Sequence, residues 1–324
     1  MTKHGQMLYN PVCSKGESME IVGAMLKIVC AMVLGFFLYR IHVINDDSCS
    51  VMSKLVTMGS APCMIFASIM SLSSDNRSVV YTLLIAGVGL YVVMTAIAFV
   101  AARIIAKEKK DRGVYEAMMT FGNSAFLAFP IGQALMGDIG VSYLAILNVH
   151  QNIFAYSLGV FQLTRGNDQA ASFSIKKLLN PPNIAALLGI VLFIIGVKIP
   201  DVIMQPINFL GQICSPMSMI VIGATIGSYS LKELFTNWRY YMIALVKMII
   251  IPAIAFAIAF LIWGPSDITS AILIHCSMPT AAIISLIAIM YNADYKTTTS
   301  ATGLMDILCV GTVPLMWLVT RMFY

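Results

Sequence analysis

About ten apolar stretches, each long enough to cross a bilayer as a helix, follow one another with only short polar separators between them. They fall at 21–39, 51–70, 79–105, 115–136, 141–163, 183–199, 202–227, 239–262, 268–291 and 297–321. A run of this kind leaves little chain for a soluble domain and dictates an all-α polytopic membrane protein. Composition agrees, because hydrophobic residues make up 59% of the 324 residues and charged ones 11%. So few charges cannot cover so much apolar surface in water.

The seven cysteines are scattered and include no Cys-x-x-Cys pair, so neither a disulfide framework nor a metal site is indicated. The net charge of +5 sits in loops between apolar runs and not on one soluble face, which argues against nucleic acid as a partner and for the lipid bilayer. Arg40, Arg103, Lys107, Lys109, Lys110, Arg112, Arg165, Lys176, Lys177, Lys232, Arg239 and Lys296 share one face; Lys3, Lys15, Arg77, Lys198 and Arg321 fall opposite. The positive-inside rule puts the first group in the cytoplasm and both termini outside the plasma membrane. Residues 1–18 read as a flexible tail, 19–165 as a first five-helix repeat, 166–180 as a cytoplasmic linker and 181–324 as a second repeat.

The repeat rests on weak internal similarity. Leu55–Pro62 can be laid on Phe209–Pro216, and the fourth and ninth stretches each carry a central proline, Pro130 and Pro279. With five spans per half the second copy enters from the opposite face, so the repeats are inverted. A mid-span proline removes one helical hydrogen bond and clashes with the preceding turn, so both spans are expected to break there. The half-helix N-terminus after each break would aim N–H groups at a carboxylate.

Further polar residues lie at membrane depth. Asn148, Gln151 and Asn152 share one helical face, and with Asn123 they either hold a substrate carboxylate or bond neighbouring helices. Thr280 follows the second proline. Asp306 matches Asn152 when the halves are offset by about 154 residues; it either stays protonated and relays a proton or pairs with Lys247. His150 and His275 read first as packing residues, with proton exchange as the alternative. No Gly-x-Ser-x-Gly, phosphate-cradling loop or His-Glu-x-x-His occurs, so an enzyme has nothing to rest on.

Several of these residues together resemble the auxin efflux carrier family, the PIN-like carriers and bacterial malate-permease-like proteins. The resemblance is carried by Leu34–Arg40 running into Ile44–Asp46, by Leu55–Pro62, by Gly122–Ile131, by Asn180–Asn183, by Lys247 before Pro252, and by Met278–Ala281 leading to Tyr291–Asp294. It implies two inverted five-helix repeats whose fourth and ninth helices cross at their prolines beside the substrate. Spans 1, 2, 6 and 7 would form a scaffold, and the others a transport domain moving as an elevator; a homodimer is also implied. The expected function is secondary transport of small organic anions, without a bound cofactor and with coupling to protons or sodium left open. The alternatives are a relative of the sodium-coupled bile-acid symporters and a membrane sensor that binds the anion and docks a partner on Lys107–Arg112.

Overall fold

The computed structural model describes residues 15–165, 179–229, 235, 237–291, 293–321 and 323. Residues 1–14 of the expected tail and 166–178 of the expected linker lie outside them, as do Lys176, Lys177 and Lys232. Among the described residues the chain is helical, and its sole extended pairing is an isolated bridge between Gly122 and Thr280. Helix α1, Lys15–Arg40, begins inside the stretch expected as tail. It is followed by α2, Asp46–Met70, capped by the Asn45 side chain on the Ser48 N–H, and by α3, Arg77–Ile105.

The fourth stretch is split into α4, Arg112–Thr120, and the opening leg of α5, Phe126–Thr164. At Gly137 the backbone of α5 takes a left-handed φ of 64°, and the chain folds back on itself. Glycine is suited to this because it has no Cβ to clash in that region. The fourth and fifth stretches are therefore the two legs of one hairpin. Next come α6, Pro181–Ile195, ended by Gly196 at φ 77°, then α7, Asp201–Gly211, and α8, Cys214–Ser228. Helix α9, Trp238–Trp263, precedes another split stretch, α10, Asp267–Ser277, and α11, Ala282–Met290; α12, Tyr295–Arg321, closes the fold.

Six helices among the described residues are long and apolar enough to cross a membrane. The difference from ten arises partly because α4, α10 and α11 are each too short alone, and α5 takes up two stretches in one bent helix. The apolar side chains of the outer helices face outward, with Ile85 77%, Ile104 80% and Leu261 85% exposed, which suits lipid and not water. Helix α5 is the most interior of the long helices, with most of its residues from Gly140 to Asn152 buried, whereas much of α2 is exposed.

Two seams are drawn close by glycine. Helix α1 lies on α8, where Gly35 meets the Ile220 backbone and Gly223 meets the Met32 backbone. Helix α6 lies on α2, with Gly189 against Ile69. Small residues let helices approach within van der Waals range in a medium where no hydrophobic force drives them together. Helix α3 likewise packs on α4, and α9 on α10.

Candidate functional site

The site lies where the two split stretches meet. The first opens at Phe121–Asn123: Gly122 is a poor helix former, and Asn123 leaves the helical region to cap the next turn, its side chain accepting from the Phe126 N–H at 3.3 Å. This corrects the expectation that Pro130 breaks the fourth span. Pro130 stands in the opening turns of α5, downstream of the break and just past a π turn over Ser124–Ala128. The wider i→i+5 turn relieves the clash that a proline makes with the carbonyl four residues back. Pro62 and Pro252 sit in the same way, each just past a π turn, Val56–Ser60 and Val246–Ile250.

Pro279 does open its span. Met278 ahead of it is extended, the conformation that a following proline favours, and Ala281 is extended too. The two openings pair as a short antiparallel ribbon. The Asn123 N–H donates to the Pro279 carbonyl at 2.7 Å, and the Ala281 N–H donates to the Phe121 carbonyl at 3.0 Å. Thr280, fully buried, donates its hydroxyl to the Met118 carbonyl at 2.7 Å and satisfies the end of α4. Unpaired backbone at this depth would cost several kcal/mol per group, so the crossing is held by the requirement that each half satisfy the other.

A ring of four side chains closes around it. Tyr91 of α3 donates its hydroxyl toward Gln151 Oε1 at 3.2 Å and lies 2.8 Å from His275 Nε2. Ser124 donates to the same Gln151 oxygen at 3.0 Å and lies 3.4 Å from His275 Nδ1. Gln151 Nε2 donates to the Gly122 carbonyl at 2.6 Å, tying the ring to the break. Phe121 and Phe154 both stack against Tyr91, with centroids 6.0 and 5.1 Å away.

The structure brings Asn123, Gln151, His275, Pro279 and Thr280 to the crossing and disperses the rest. Asn152 turns away, donating to Asn183 Oδ1 at 2.8 Å and to the Asn148 carbonyl, so the amide face serves two different neighbours. Asn148 is buried on α5, and Pro130 lines a cavity of about 450 Å³ with Lys27, Ile28, Gln133, Ser215 and Pro216, between α1, the opening leg of α5 and α8. The two nitrogens of His150 lie 3.0 and 2.9 Å from the Ile146 and Leu84 carbonyls, and its ring fills the space over Gly87, a packing role.

Asp306 and Lys247 do not pair. The ion pairs among the described residues are Arg103 and Arg165 with Glu116, and Lys110 with Glu108. Asp306 is buried on α12 with Oδ1 unpartnered, one turn from Gly303, against which Tyr229 lays its ring. Lys247 instead faces the crossing, completely buried, its ammonium 3.4 Å from where a Cβ on Gly122 would stand. Tyr91 and Ser124 escaped the sequence reading because tyrosine and serine are ordinary in membrane helices. The signal that was available for Ser124 is its place directly after Gly122-Asn123.

The chain matches a profile of the family described as Membrane transport protein over residues 20–174 and 168–317. It is 23% identical over 279 residues to an uncharacterized transporter of Methanocaldococcus jannaschii, covering 84% of this chain and 89% of the relative. An uncharacterized transporter of Methanothermobacter thermautotrophicus is 23% identical over 301 residues, with 90% and 95% covered. The uncharacterized transporter YfdV of Escherichia coli is 22% identical over 313 residues, with 93% and 98% covered. The pattern of broken helices, the multi-pass helical fold and the matched profile lead to one conclusion: the chain is a membrane protein belonging to the Membrane transport protein family, the auxin efflux carrier family.

Proposed function

We propose that this chain is a secondary carrier of small organic anions, carboxylates in the first instance, built as two inverted five-span halves in the plasma membrane with both termini outside. The observation that carries the reading is the start of α11. Ala281 at its N-cap is 4% exposed and the helix has no side-chain cap, whereas α2, α6 and α10 are capped by Asn45, Asn180 and Ser266. Ala282, the first residue of the helix, is exposed and the Ala281 carbonyl takes the Ile284 N–H, so this uncapped N-terminus leaves its remaining N–H groups and a partial positive charge to be met by an anion. It lies beside Asn123 and the ring of Tyr91, Gln151, Ser124 and His275, which supply polar partners for the rest of a small solute.

The inverted arrangement is supported by the packing pairs. Spans 1 and 7 pack as α1 on α8, spans 2 and 6 as α2 on α6, spans 3 and 4 as α3 on α4, and spans 8 and 9 as α9 on α10. Exchanging the halves converts each pair of this set into another member of it. Gly35 and Gly189, which draw the two inner seams together, stand apart by the same offset of about 154 residues that relates Asn152 to Asp306. On this reading α1, α2, α6, α7 and α8 are the scaffold, and the hairpin of α5 with α3, α4 and α9 to α12 moves against it as an elevator. The cavity between Lys27, Gln133 and Ser215 is then the vestibule between the two bodies.

Purified carrier in proteoliposomes is expected to take up labelled malate by counterflow. Asn123→Ala is expected to abolish uptake while the protein still melts cooperatively. Unchanged uptake by that variant overturns the assignment of the crossing as the site.

A further inference from the structure

We infer that Arg77 and Lys198 form a binding site for the phosphate of an anionic phospholipid headgroup. Both belong to the few basic residues on the face opposite Lys107–Arg112, and they come from distant parts of the chain, Arg77 from the start of α3 and Lys198 from the loop between α6 and α7. The fold brings them into one cavity of about 370 Å³, which Ser74 lines as well and to which Leu72, Phe193 and Met204 give apolar walls. Asp75 and Asp201 are close by in sequence, yet the ion pairs among the described residues include neither cation. Two positive charges therefore share a pocket with no protein anion between them.

The end of α6 is what holds the guanidinium there. Gly196 terminates that helix at φ 77°, and Nη2 of Arg77 lies 3.0 Å from where a Cβ on Gly196 would stand, so the glycine leaves it room. The negative pole of the helix dipole favours a cation at this place. The Leu192 and Phe193 carbonyls are already taken by the Val197 and Gly196 N–H groups, and Arg77 makes no side-chain hydrogen bond among the described residues. Its planar fork of N–H groups is thus left for a phosphate, which it fits in bidentate fashion. The pocket lies where α2, α3 and α7, all long and apolar enough to cross a membrane, have their ends, and this is the level of lipid headgroups. Just inside it on α6, Leu188, Val191 and Ile195 are 50%, 54% and 65% exposed, so hydrocarbon chains reach the rim. Basic pockets between membrane helices take headgroups in this way, and the apolar walls suit the glycerol backbone better than a hydrated free phosphate. The inference does not depend on what the chain transports.

The test melts the full chain in detergent with added dioleoylphosphatidylglycerol, dioleoylphosphatidylcholine or glycerol 3-phosphate. A ligand that binds the folded state raises its melting temperature, so phosphatidylglycerol is expected to add several degrees over phosphatidylcholine in the wild type. Arg77→Gln with Lys198→Gln is expected to lose at least two-thirds of that gain. Lys107→Gln with Lys109→Gln, which removes the same charge from the other face, is expected to lose less than a third. Glycerol 3-phosphate is expected to give less than a third of the lipid's effect. Equal melting in the two lipids, a gain that survives in the Arg77 and Lys198 double variant, or an equal loss in the Lys107 and Lys109 variant overturns the inference. Glycerol 3-phosphate that matches the lipid overturns it too, since the pocket would then be one for a soluble phosphate. Should the first double variant not fold, Lys198→Gln alone decides: loss of a third or more of the gain supports the site, and an unchanged gain overturns it.

Discussion

One hydroxyl, that of Tyr91, serves both an amide from α5 and an imidazole from α10. Tyr91→Phe keeps the stacked rings but leaves buried Gln151 and His275 groups with one partner fewer, and should lower unfolding stability by about 1–3 kcal/mol, read by thermal melts. Gly122→Ala places a methyl among Met278, His275 and Lys247 at 3.2–3.4 Å, tight against all three. We expect it to cost about 1–3 kcal/mol, measured in the same way, because a packed crossing has nowhere to shift. Asn123, Gln151 and His275 were legible in the sequence, since strongly polar residues stand out in an apolar run. Tyr91 was not, because a tyrosine is apolar along most of its length, and only the partners at its tip reveal what it does.

At the level of elements, prolines proved a poor guide to where helices open. Pro62, Pro130 and Pro252 are each accommodated by a preceding π turn, and of the two central prolines singled out in the sequence only Pro279 lies in a break. Pro130→Ala is accordingly expected to change stability by less than about 1 kcal/mol and to leave uptake within a few-fold of wild type, whereas Pro279→Ala should depress uptake severely by returning a donor to the His275 carbonyl. Uptake assays on the two variants side by side check this. A second local device clamps the α3, α4 and α5 ends: Glu116, 2% exposed at its side chain, accepts from Arg165 at 2.7 Å and from Arg103 at 3.4 Å. The arginines are about one-third exposed, which weakens their individual contributions through solvent screening. Glu116→Ala is therefore expected to destabilise more than either arginine substitution, since it removes both contacts at once, and melting of the three variants orders them.

For the molecule as a whole, the carrier reading requires the hairpin of α5 to slide past α1 and α8. Gln133 on the hairpin and Ser215 on α8 line the same cavity of about 450 Å³. A Gln133→Cys, Ser215→Cys pair bridged by a bifunctional thiol reagent should stop malate counterflow, with recovery after cleavage of a reducible linker; continued transport in the bridged protein would contradict relative motion there. The sequence by itself determined that the chain lives in a membrane as a bundle of helices, and roughly where each apolar stretch begins and ends, because hydropathy and capping act over a few neighbouring residues. Only the tertiary structure decided where the fourth stretch opens, which amides face the crossing, and that Lys247 lies against Gly122 while Asp306 stands apart. Those outcomes depend on backbone and side-chain groups from tens to more than a hundred residues distant finding each other in a medium with no water to satisfy them, and no local pattern encodes such a meeting.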